Sequence, residues 1–156
     1  MFMDRYDFMR EALSLAEIAY QNKEIPVGCV VTKNGKIISR GYNRTIEKNN
    51  VICHAEIEAI QDACKTLAST NLSDCELYVT LEPCPMCAGA IINAKISKVV
   101  FGAFDLNYGA CGSATNLFSL SKIHRPECYG GIMEDACSKI LSDFFREIRD
   151  KNQTES

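Results

Sequence analysis

Apolar residues recur at helical spacing from Asp7 to Tyr20, where Phe8, Ala12, Leu15, Ala16 and Ala19 mark one face and Asp4 is available as the cap. The period then changes. Val27 to Thr32 and Lys36 to Ser39 are β-rich runs split by Asn34 and Gly35, the pair that best tolerates the positive φ angles of a tight hairpin. Further along, the pattern predicts a second helix over Ala55 to Leu67, a strand over Glu76 to Leu81, a third helix over Pro85 to Ile92 and a strand over Lys98 to Gly102. Near the end, Ala136, Ile140, Leu141, Phe144, Phe145 and Ile148 form the stripe of a closing amphipathic helix. Between Asp105 and Gly130 the periodicity is poor, and loops with short helical turns are expected.

Strands that alternate with helices favour parallel neighbours, because a strand-helix-strand crossover returns the chain in the same direction. The expected fold class is therefore α/β, with three layers and a mixed central sheet flanked by helices on both faces. With 156 residues, 47% of them hydrophobic, the chain suits one domain with a real core. That domain is expected over residues 1–150, with 151–156 a frayed polar tail.

Composition narrows the setting. The first seven residues mix acids with aromatics where a secretory signal needs a basic start and an apolar run, and no stretch approaches the roughly 20 apolar residues of a membrane span. Nine cysteines without an export signal point to a reducing compartment, hence a soluble cytoplasmic protein. The net charge of −3 argues against a broad cationic face, so any nucleic-acid contact is expected to be local.

The candidate chemistry lies in two segments: Cys53, His54, Ala55 and Glu56, then Pro83, Cys84, Pro85, Met86 and Cys87. Together they read H-x-E followed by P-C-x-x-C. Two cysteines at this spacing and one histidine supply three ligands for zinc and leave the fourth corner of a tetrahedron open, as catalytic sites do. Pro85 suits the first position of a helix, which puts Cys84 and Cys87 at a positive helix end that favours thiolate. Glu56, two residues from His54, can share its site only at a helix start, where it would act as proton acceptor and donor in a hydrolytic deamination. A lone C-x-x-C is also compatible with redox chemistry or a structural zinc site. A structural site needs a fourth ligand from Cys29, Cys53, Cys64, Cys75, Cys111, Cys128, Cys137 or His124, none of which forms a second C-x-x-C. Cys53 reads as an ordinary buried thiol.

These motifs resemble the cytidine deaminase-like superfamily and, within it, the bacterial family of tRNA-specific adenosine deaminases. The resemblance runs through Pro26-Val27-Gly28, Gly41 to Arg44, His54 to Ile57, Thr80 to Ala90, Val100 to Ala103, Gly109 to Ser113 and Leu141 to Arg146. It implies the cytidine deaminase-like fold and conversion of adenosine to inosine at the wobble position of tRNA. It also implies one Zn2+ per subunit on His54, Cys84 and Cys87, with Glu56 catalytic. On the substrate side it implies Asn43 against the flipped nucleoside, Asp105 in the pocket loop, and a closing helix that meets the anticodon loop, with Phe145 stacking and Arg146 on phosphate. A homodimer is implied as well.

Plainer readings stand beside these roles. Asn43 could end a strand, Asp105 could form a turn, Arg146 could be a solvated last-turn cation, and one of Phe144 and Phe145 is expected in the core. Guanine deaminases share P-C-P-M-C, so a deaminase of a free base or nucleoside, such as guanine or cytosine, is the alternative; a non-catalytic RNA-binding or structural zinc module is a third. The chain departs from the family at Asn107, where a lysine is usual.

Overall fold

The structure, a computed structural model, describes residues 2–120, 122 and 124–155. The first helix, α1 (Arg5–Gln21), opens on the expected cap: Asp4 accepts from the Tyr6 and Asp7 amides at 2.9 and 3.0 Å, and Asp7 accepts from the Asp4 amide at 2.9 Å. Strands β1 (Gly28–Lys33) and β2 (Lys36–Tyr42) form the hairpin, with Asn34 at φ 53° and Gly35 at φ 73° in its turn. There follow α2 (Ala55–Leu67), β3 (Cys75–Leu81), α3 (Pro85–Ala94) and β4 (Lys98–Ala103).

The sheet order is β2-β1-β3-β4-β5, with β5 spanning Glu127–Tyr129. β1 runs antiparallel to β2 and β3, whereas β3, β4 and β5 are parallel, so the sheet is mixed as the alternation of elements predicts. Side chains alternate across it. Cys29, Val31, Leu77, Val79, Val99 and Phe101 pack on one face with α2 and α3. Val30, Tyr78 and Val100 pack on the other with α1 and with Cys137 of the closing helix, α5 (Glu134–Thr154). Three layers result.

Glycine sets the spacing of the helices. A Cβ at Gly41 of β2 would lie 2.4 Å from the Ala55 carbonyl oxygen and 2.6 Å from the Ala59 nitrogen, so only glycine lets the first turns of α2 rest on that strand.

One feature differs from the periodic reading. In the stretch expected to be loops and short turns, β5 adds a strand beside the short helix α4 (Leu117–Leu120); three residues with only Cys128 half-buried carry no legible alternation. The closing helix also runs on to Thr154. Lys151 suits the negative helix end, and the Thr154 hydroxyl donates to the Asp150 and Lys151 carbonyls at 3.3 and 2.9 Å. No helix among the described residues is long and apolar enough to cross a membrane.

Candidate active site

Two helix starts converge on one point. His54 is the N-cap of α2 and Cys84 the N-cap of α3, both with extended backbones, and neither side chain caps its own helix. Each is thereby free to face the other. Pro85 holds the first position of α3 without needing a backbone donor, and Cys87 follows one turn in. His54 Nδ1 lies 3.6 Å from both the Cys84 and the Cys87 sulfur. The three donor atoms all lie within 4.8 Å of one another, and no fourth His, Cys, Asp or Glu among the described residues is that close to all of them. Two sulfurs and an imidazole nitrogen are donors suited to zinc, so the group could hold a metal ion. Cys53 is buried and stays outside the group; burial pushes its thiol up.

The electrostatics suit a cation. The Cys87 thiol, with His54 in support, holds Cys84 at a pKa of about 4, against the opposing effect of burial, so Cys84 is a thiolate. Cys87 is pushed up, first by sharing that proton with Cys84 and then by burial. Its bond to Cys84 raises His54. Glu56, at the second position of α2, is only 3% exposed, and burial raises its carboxyl above the usual carboxylate range.

His54, Glu56 and Cys84 line a cavity of about 470 Å3 together with Asn43 and Asp105, while Cys87 is fully buried. Asn43 directly follows β2 and is buried; its Nδ2 donates to the Ile25 carbonyl at 3.3 Å, and its Oδ1 is buried without a hydrogen-bond partner. A buried amide oxygen left open on a cavity wall is available to a ligand donor. Asp105 both lines the cavity and forms a turn, because its Oδ1 accepts from the Asn107 and Tyr108 amides at 3.1 and 3.0 Å.

The structure does not bring Phe145 and Arg146 to this cavity. Phe144 is the core member of its pair, buried edge-on against Tyr20, while Phe145 is 41% exposed on α5. Arg146 is exposed and paired with Asp143 three residues earlier. Other wall residues were given no role from the sequence: Ile25, Tyr108, the buried Glu82, and Met86 within the P-C-P-M-C segment. The one local signal among them is Glu82, an acid that closes an apolar strand directly before Pro83 and Cys84.

The chain is similar to known proteins in sequence and fold. The MafB19-like deaminase family matches residues 3–149. A tRNA-specific adenosine deaminase of Rickettsia bellii (strain RML369-C) is 49% identical over 145 residues, which cover 91% of this chain and 100% of that protein. A solved structure from work on A-to-I editing by deaminases at the wobble position of transfer RNA superposes with a TM-score of 0.81 and 41% identity, over 86% of this chain and 98% of that one. The guanine deaminase of Bacillus subtilis superposes with a TM-score of 0.64 and 36% identity, over 80% of this chain and 79% of that one.

Proposed function

This chain belongs to the MafB19-like deaminase family, alongside tRNA-specific adenosine deaminases, and on that premise we propose that it converts adenosine to inosine at the wobble position of tRNA. The observation that carries the proposal is the grouping of the His54, Cys84 and Cys87 donors beside a cavity large enough for a nucleobase, whose wall includes His54, Cys84 and the buried Glu56.

His54 Nδ1 and the two sulfurs are the ligands for one zinc ion per subunit. When bound, zinc supplies Lewis acidity that makes water a nucleophile near neutral pH. Glu56 takes one proton from the attacking water and passes it to the purine ring nitrogen, then takes the remaining proton of the added hydroxyl, as that oxygen becomes the carbonyl, and delivers it to the departing amine. Adenosine and water thus become inosine and ammonia. The open Oδ1 of Asn43 accepts a donor of the bound nucleoside, and Asp105 forms part of the wall around it. Phe145 and Arg146 belong to an outer surface of α5 that meets the anticodon loop.

The protein acts in the cytoplasm as a homodimer. Support for the dimer is the open space beside Gly89 on α3, where nothing lies within 4 Å of a Cβ position, so another backbone could approach closely.

The test is incubation of the zinc-loaded protein with a tRNA that carries adenosine at the wobble position, followed by nucleoside analysis. Inosine at that position alone is the expected result. Ammonia release from free guanine, with no inosine in tRNA, would replace this reading with the one that the guanine deaminase likeness favours.

A further inference from the structure

The loop of residues 105–113, which brings Asp105 and Tyr108 to the cavity wall, is gathered around one side chain, and we propose that Glu82 is a positioning residue that holds this loop in register with the cysteine ligands. The inference rests on the functional reading above and deepens it by assigning the element that fixes the shape of the substrate site.

Glu82 follows β3 and is 2% exposed. Its Oε1 accepts from the Asp105 amide at 3.2 Å and the Ser113 hydroxyl at 2.5 Å; its Oε2 accepts from the Cys111 and Ser113 amides, each at 3.1 Å. The donors come from both ends of one loop. A carboxylate taken out of water is costly unless such bonds compensate it, so the burial of Glu82 and the path of the loop depend on each other. Between those ends the backbone lies directly on the carboxylate: a Cβ at Gly109 would sit 2.4 Å from the Glu82 carboxyl carbon. The Ala110 amide donates to the Pro83 carbonyl at 2.8 Å, which ties the loop to the residue between Glu82 and Cys84.

Glu82 and Glu56 both line the cavity, yet their partners divide the work. Both oxygens of Glu82 are saturated by loop donors, which suits a fixed support and not a group that must exchange protons. Asp105 and Tyr108, carried by the clamped loop, inherit their places from it; Tyr108 is 71% exposed on a backbone that the clamp immobilises.

The test uses full-length zinc-loaded protein and its Glu82→Gln variant, which keeps the side-chain size but turns an amide NH2 toward N–H donors. Zinc per chain, hydrogen exchange at the Asp105, Cys111 and Ser113 amides, and kcat and KM on an anticodon stem-loop RNA are measured together. Expected are full zinc content, exchange at those amides faster by about tenfold or more, KM raised about tenfold, and kcat within about threefold, because the wall binds substrate and transition state alike. Ser113→Ala, the milder change, should raise KM less, and the double variant should be no worse than Glu82→Gln alone, since both act through one clamp.

Unchanged exchange with unchanged KM would overturn the proposal. So would loss of zinc in Glu82→Gln, which would place the residue's role at the metal. Should Glu82→Gln fail to fold, exchange and KM in Ser113→Ala decide the matter: no change in either would overturn it. If the parent protein makes no inosine, the functional reading fails by itself, while the exchange measurement still decides the clamp.

Discussion

Glu24, Glu56 and Glu82 are three carboxylates sunk to 1%, 3% and 2% exposure, and their neighbours tell them apart. Glu24 accepts from the Ile46 and Glu47 amides at 3.0 and 2.8 Å, and Glu82 accepts from the opposite loop. Glu56 instead faces His54 and the cysteines, with its carboxyl raised by burial toward the range in which a group can both take and return a proton. Glu56→Gln is therefore expected to lower kcat by a factor on the order of 100 or more while one zinc per chain remains bound, measured by inosine formation and elemental analysis in parallel. Loss of the metal in that variant would make Glu56 a ligand and remove its assigned role. The H-x-E and P-C-x-x-C spacings made Glu56 and the donor group legible in the letters alone, because each spacing has few chemical uses. Glu24 and Glu82 were not legible: a buried acid and a solvated acid are the same letter until the loop that folds over one of them is known.

At the scale of elements, the donor group depends on how two helices seat on a sheet. The α2 start reaches α3 because Gly41 presents no side chain to it. Gly41→Ala would force the first turns of α2 outward, at a cost of about 1–3 kcal/mol. The same shift would move His54 away from the sulfurs, so the variant is expected to melt earlier and to bind zinc at least about tenfold more weakly by chelator competition, second-site changes around metals having effects of this size. Normal zinc affinity with lowered stability would separate seating from ligation. The elements that carry the site were readable because their patterns are long and capped: Asp4 before α1, Asn34-Gly35 in the hairpin, Pro85 at the head of α3. β5 was not, being three residues long and mostly exposed.

For the molecule as a whole, charge is spread in local pairs. The net charge is −3, and Arg44, Lys48, Lys98, Lys139 and Arg146 each have a carboxylate partner nearby. The loop of residues 105–113, with Asn107 in it, carries no Lys or Arg, and none is among the residues that line the cavity. Log affinity for an anticodon stem-loop should thus fall gently with log salt, with a slope shallower than about −3, since each neutralised phosphate of a single strand contributes roughly −0.7. A slope several times steeper in a binding titration would reveal a cationic surface assembled from more distant residues. The whole-molecule architecture was legible from the order of strands and helices, whereas the part played by the outer face of α5 was not: an exposed aromatic such as Phe145 looks the same in sequence whether it packs, stacks or stands idle.

His54 and Glu56 precede the exposed turn at Thr70 and Asn71, and both sulfur donors come after it. A break in the chain there would leave each fragment with an incomplete kit: an imidazole and a proton carrier in one, a pair of thiols in the other. The chemistry would stay silent in either piece, and metal capture would serve as a built-in report that the two had rejoined.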